Sequence, residues 1–168
     1  MRIDIRKAEK EDTERLSAVV CETWKDSFSS FLTAGDMEKY ADITRREESF
    51  RTLFDEGADI FTLLCDNEIC AVVTLVRCGE KAFFDCCELR QIHILPKYQR
   101  IGFGRKLLCY ALRKMREKGY RTARLNVAEK NAKAIAFYEK FGFRTSGAKT
   151  RCGDFEAEVF TLSYQIEL

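Results

Sequence analysis

The sequence predicts an α/β fold built on a mixed sheet, and three observations carry that expectation. Between Glu88 and Val127 a strand, a glycine-containing turn, an amphipathic helix and a second strand follow one another, a βαβ unit with parallel strands. Upstream, two β-rich runs, Ile60 to Cys65 and Ile69 to Val76, are joined by Asp66-Asn67-Glu68 and read as an antiparallel hairpin. At the carboxyl end Phe160, Leu162, Tyr164 and Ile166 alternate as in a half-buried antiparallel strand.

Taken in order, Ile3 to Ala8 alternates like a strand, and Asp12 can cap a helix whose Leu16, Val19, Val20 and Trp24 share a face. Phe28, Phe31 and Leu32 extend the apolar surface into a looser region. Thr44 with Glu47 has capping-box spacing before Phe50, Leu53 and Phe54, and Gly57 ends that helix. The hairpin follows, then a third run from Phe83 to Leu95. Its apolar parity changes between Leu89 and Ile92/Ile94, as if one extra residue sat near Arg90-Gln91; a β-bulge does this. After Pro96, Gln99 to Gly104 form a turn into a helix striped with Leu107, Leu108, Ala111, Leu112 and Met115 and closed by Gly119. Ala123, Leu125 and Val127 mark the next strand. Asn131 can cap a last helix carrying Ile135, Phe137, Tyr138 and Phe141, with Gly142 as terminator. The tail runs Phe143 to Thr150, turns at Cys152-Gly153-Asp154, and returns from Phe155 to Ile166.

Length and composition exclude several classes. A chain of 168 residues suits one domain spanning 1–168, and 46% hydrophobic with 33% charged residues is a globular balance. The net charge of +2 does not announce nucleic acid as a partner. The basic run Arg113 to Lys118 reads as a solvated helix face with Leu112 and Met115 turned inward. The longest apolar run, Ala71 to Val76, is six residues, far short of the ~20 a membrane helix needs. The amino terminus has no apolar block of the signal-peptide kind. A cytoplasmic protein without membrane or nucleic-acid partners is expected. Eight cysteines are scattered without C-x-x-C and with one histidine, so they read as small hydrophobes and no metal is expected.

The most informative stretch runs from Ile92 to Arg105. Two glycines, Gly102 and Gly104, stand where a strand hands over to a helix and let the backbone approach a ligand closely. The helix start aims free N–H groups and its positive dipole end at that ligand, and Lys97, Arg100, Arg105 and Lys106 add cations. This is an anion site, most naturally for a phosphate or pyrophosphate. Neither G-x-x-x-x-G-K-[ST] nor a full G-x-G-x-x-G is present.

At these residues the chain resembles the GNAT superfamily of acetyl-CoA-dependent N-acetyltransferases. The family's Q/R-x-x-G-x-G/A motif reads as Gln99-Arg100-Ile101-Gly102-Phe103-Gly104, and its downstream signature as Asn131 to Phe143 with Tyr138 inside. Thr23-Trp24-Lys25 and Phe28 are similar to the first-helix region of many members. Arg100 departs from the glycine that many members carry after the motif's Gln.

The resemblance implies a six- or seven-stranded, mostly antiparallel sheet with one splayed parallel pair and helices on both faces. It implies acetyl-CoA as cosubstrate, its pyrophosphate on the turn formed by Arg100, Ile101, Gly102, Phe103, Gly104 and Arg105. The pantetheine arm would lie along Ile92, His93 and Ile94, with Asn131 as a further contact. Tyr138 matches the tyrosine that protonates the departing sulfur, and Glu88 has the spacing of a catalytic glutamate in one branch. His93 is a second candidate base, since histidine titrates near neutrality. The acceptor is expected to be a primary amine of a small molecule, facing Trp24, Phe28, Phe31, Tyr40, Asp26, Asp36, Asp42 and Asp154. A protein amino terminus or lysine, or a non-catalytic acyl-CoA sensor, is the alternative, and a homodimer is compatible with the family.

Overall fold

The amino-terminal strand β1 (Ile3–Lys7) pairs antiparallel with β2 (Asp59–Cys65), which turns into β3 (Glu68–Arg77). The turn residues Asp66 and Asn67 both have positive φ (50° and 70°), the geometry of a two-residue hairpin whose twist suits the strands. In this computed structural model the described residues are 1–79 and 85–168, so the expected strand start at Phe83 and Phe84 lies outside them. From Cys86 to Ile94 the chain forms β4, antiparallel to β3. It then enters a 3-10 turn at Pro96–Tyr98 and α4 (Phe103–Glu117), followed by β5 (Thr122–Ala128). Helix α5 (Ala132–Lys140) leads to β6 (Arg144–Arg151) and β7 (Phe160–Glu167).

Among the described residues the sheet has seven strands in the order β1-β2-β3-β4-β5-β7-β6. Every neighbouring pair is antiparallel except β4–β5. Helices α1 (Thr13–Phe28) and α3 (Ile43–Asp55) bury Leu16, Val19, Val20, Phe50 and Leu53 against Ile60 and Val72 on one face. Helix α4 buries Leu107, Leu108, Ala111, Leu112 and Met115 on the other, against Leu63, Val73, Leu89 and Leu125. The mixed sheet with helices on both faces agrees with the expected fold.

The parallel pair is short. Cys86, Cys87 and Glu88 pair with Thr122, Ala123 and Arg124, and the ladder stops there. Beyond it β4 keeps pairing with β3 as far as Ile94, while β5 keeps pairing with β7 as far as Ala128. Each strand follows its antiparallel partner, so the sheet opens between them. The parity change has its physical counterpart in the β3–β4 register. Thr74 pairs with Gln91 and Leu75 with Leu89, leaving Arg90 as the extra residue. Leu89 and Ile92 both join the α4-side core, and an odd spacing reaches one face only through a bulge.

Four local expectations differ from the structure. Asp12 precedes α1 but its carboxylate does not cap it; both oxygens take the Arg6 guanidinium (2.7 and 2.8 Å) and one also accepts the Glu9 N–H. Helix α3 starts one residue before Thr44, and Asp42 caps it by accepting the Arg45 N–H at 2.7 Å. A short helix α2 (Ala34–Tyr40), capped by Thr33 and Asp36, occupies the region expected to be loose. Strand β7 begins at Phe160 rather than Phe155, because residues 156 and 157 give their N–H groups to Asp36 instead of to a strand.

Asn131 behaves as expected, its side chain accepting the Ala134 N–H at 3.1 Å. Asn131→Ala should therefore lower stability by about 0.5–2 kcal/mol, measurable by urea unfolding; an unchanged midpoint would show that the cap contributes nothing.

Candidate active site

The open end of the β4–β5 pair borders a cleft of about 1910 Å³. Sites for one small ligand commonly run ~300–1,000 Å³, so this cleft has room for two. Along one wall stand Ile92 and Ile94 of β4; across it are Asn126 and Val127 of β5 and Phe137 and Tyr138 of α5.

The turn into α4 is held to the end of β4. Gln99 Nε2 donates to the Ile94 carbonyl at 3.0 Å. Arg100 (φ +61°) and Gly102 (φ +92°) adopt left-handed backbone, and no side chain caps α4. Lys106 N–H is bonded to the Gly102 carbonyl, so Phe103, Gly104 and Arg105 carry the N–H groups that helix geometry leaves for an outside acceptor. A Cβ on Gly104 would sit 3.5 Å from Ile94 Cδ1 and Phe137 Cζ, between the two walls. Arg100, Arg105, Lys130 and Lys133 line the same end of the cleft. A phosphate-bearing ligand fits this end: a bare Cα, free donors and cations converge on it.

Tyr138 is 7% exposed, its ring set against Phe137 and Phe143. Burial pushes its phenol pKa upward, so the group stays protonated and can donate. His93 lies on the opposite face of β4 from Ile92 and Ile94, and is 8% exposed. Desolvation, with the Arg46 charge beside it, pushes its pKa down to about 3. The imidazole is neutral at any ordinary working pH.

The structure brings Ile92, His93, Ile94, Arg100, Gly102, Gly104, Arg105, Asn131 and Tyr138 to the cleft. Three expected residues contribute no lining. Ile101 points outward at 55% exposure, and Phe103 is buried in the core, stacked on Tyr98. Glu88 stands on the closed part of the β4–β5 pair, 3.6 Å from Arg90 Nε.

On the acceptor side Trp24, Phe28 and Tyr40, all expected there, form a stack that Phe155 joins. Trp24 lies against Phe28, Tyr40 and Phe155, with centroids 4.6, 5.9 and 6.3 Å apart. The expected acids are corrected: Asp36, Asp42 and Asp154 do not line the cleft, and of that group only Asp26 does. Asp36 is instead an internal anchor, 1% exposed, accepting N–H groups from Thr33, Glu156 and Ala157. Burial alone would push its pKa up, but those donors outweigh burial and hold the carboxyl below its ordinary value. Its contribution is thus complete above the unfolded value of ~3.9 and fades as pH falls through the lower folded one. Trp24, the chain's one tryptophan, stacks on Phe155 beside this anchor, so its emission should change over that acid range. In Asp36→Asn the change should be present already at neutral pH; an Asn variant with wild-type emission would contradict the anchoring role.

Cys21, Cys65, Cys70, Cys86 and Cys87 are buried, and burial raises the Cys70 and Cys87 thiols to about 11 and about 12. Among the described residues no group of three metal-ligating side chains occurs, and no helix is long and apolar enough to cross a membrane. Sequence reasoning missed Arg46, Gln91, Asn126 and Phe155 as cleft residues. Only the bulge signal pointed near one of them.

Comparison with known proteins agrees with this geometry. The family model described as "Acetyltransferase (GNAT) family" matches residues 18–143. The spermidine N(1)-acetyltransferase of Thermoplasma acidophilum is 30% identical over 151 residues, 86% of this chain and 89% of that one. The [ribosomal protein bS18]-alanine N-acetyltransferase of Haemophilus influenzae is 33% identical over 121 residues, 70% of this chain and 81% of that one. The crystal structure of PaiA N-acetyltransferase from Thermoplasma acidophilum, in complex with coenzyme A, superposes over 100% of both chains. Its TM-score is 0.82 and its identity 21%.

Proposed function

Since the chain belongs to the GNAT acetyltransferase family, we propose that it transfers the acetyl group of acetyl-CoA to a primary amine of a small molecule. The transfer is direct, with both substrates held in the cleft between β4 and β5. The opening of the parallel pair after Glu88 carries this reading. It leaves unpaired backbone on β4 beside a donor-rich helix start, which suits a long ligand ending in a pyrophosphate.

Acetyl-CoA supplies an acetyl thioester. Phe103, Gly104 and Arg105 hold its pyrophosphate on their N–H groups, with Arg100 beside them and Asn131 at the start of α5. Ile92, His93 and Ile94 offer backbone to its arm. Tyr138 donates its phenolic proton to the departing sulfur. The acceptor amine, held largely as ammonium at neutral pH, must lose a proton first. His93 is poorly suited to take it, because protonating a buried imbedded imidazole next to Arg46 is costly. Glu88, off the cleft lining, takes that proton through water.

A direct carboxylate base is typically worth about 10²–10⁴-fold and Glu88 acts through water, so Glu88→Gln should cost less than about 10²-fold in turnover with CoA affinity unchanged. Turnover equal to wild type in Glu88→Gln removes Glu88 from the mechanism. The proposal itself is tested by thiol release from acetyl-CoA across amino acids, polyamines, amino sugars and peptides.

A further inference from the structure

We propose that Arg46 binds a carboxylate on the acceptor, so that the amine acetylated is an amino acid with an apolar side chain. This rests on the acetyl-transfer reading above and names the substrate class for the same cleft.

Arg46 projects from α3 into the acceptor side of the cleft, together with Trp24, Gln91 and His93. Its Nε donates to the Tyr40 carbonyl at 2.6 Å, and its guanidinium lies 4.4 Å from the Trp24 ring centroid. Its Nη2 is buried and finds no acceptor among the described residues. The ion pairs formed among those residues do not include it. A guanidinium is always charged and a buried donor left unmade is expensive. Its natural partner is planar and anionic, and a carboxylate accepts from the fork in bidentate fashion.

The stacked ring of Trp24 and the hydrogen bond to Tyr40 fix the guanidinium before any ligand arrives, which is the preorganisation a binding group needs. The acids that line the cleft, Asp26 and Glu56, form no ion pair with it among the described residues. Beside it Trp24, Phe28 and Phe155 present an apolar wall. A polyamine would bring further ammonium groups to this buried cation, an unfavourable encounter. A protein amino terminus brings no carboxylate next to its amine.

The test uses the full chain and matched acceptors: L-phenylalanine, L-phenylalaninamide, phenethylamine and spermidine. The wild type should favour L-phenylalanine over its amide by about 10–100-fold in kcat/KM. Arg46→Gln should bring that ratio near one, through KM for the acid, with CoA affinity held. Arg46→Lys, which keeps the charge without the fork, should fall between. Should Arg46→Gln fail to fold, the wild-type ratio and the lysine variant decide. Equal or better use of the amide, phenethylamine or spermidine overturns the proposal, as does a ratio unmoved by Arg46→Lys and Arg46→Gln. If no amine releases thiol while CoA still binds, the acetyl-transfer reading fails separately. Calorimetry with 3-phenylpropionate on the CoA-bound protein then decides: binding weakened in the Arg46 variants supports the carboxylate site, and no binding refutes it.

Discussion

Tyr138→Phe is expected to reduce turnover by about 10²–10⁴-fold, the usual worth of a positioned general acid, with little change in CoA affinity. The substitution keeps the ring that packs against Phe137 and Phe143 and removes only the proton donor. Burial makes the phenol hard to ionise, so at neutral pH it holds its proton; in the proposed mechanism it gives that proton up as negative charge develops on the sulfur. Because that charge exists mainly in the transition state, the loss belongs in kcat and equally in kcat/KM, not in ground-state binding. Stopped assays at saturating acetyl-CoA, paired with calorimetry of CoA, measure both. Turnover equal to wild type would mean that Tyr138 serves packing alone.

Gly104→Val should weaken CoA binding by about 10–100-fold, the equivalent of losing one hydrogen bond to a charged group. The valine methyls would fill the space between Ile94 and Phe137, where even a Cβ alone would sit at ordinary contact distance from both. Gly104 has an ordinary helical φ, unlike Gly102 at +92°, so the fold should tolerate the change and thermal unfolding should stay cooperative. Gly104→Ala serves as the graded control: its single methyl should leave most of the affinity. Equal CoA affinity in a folded Gly104→Val protein would remove the turn from the binding site.

What the sequence made legible were the features written in periodicity and turn chemistry. The Arg90 bulge showed as an odd interval between Leu89 and Ile92, because core-facing residues on one strand keep an even spacing unless a residue is inserted. The hairpin at Asp66-Asn67, the stripe of α4 and the Asn131 cap are local properties, and they stand where the residues put them. Caps were less legible where a side chain had a competing partner. Asp12 had the right residue type and position, yet the Arg6 guanidinium claimed its carboxylate.

The acceptor side was the least legible because it is assembled from distant segments. Arg46 looks in sequence like one more polar residue of an amphipathic helix; its burial against Trp24 depends on α1 and α3 packing together over β2 and β3. Asp36 looked like a substrate-facing acid, and only the docking of residues 156 and 157 reveals it as an anchor. Glu88 had the right interval from Gln99, but interval along a strand says nothing about where its two neighbours separate. Here they separate one residue beyond it.

The central claim is that the opening between β4 and β5 serves acetyl transfer to a primary amine. It is tested most directly by following thiol release and acetylated amine together in one reaction, with acetyl-CoA and L-phenylalanine. The account predicts one molecule of N-acetylated product for each thiol released, with both signals reduced in parallel by Tyr138→Phe. Tight CoA binding with no amine-dependent thiol release, across all classes of primary amine, would contradict it.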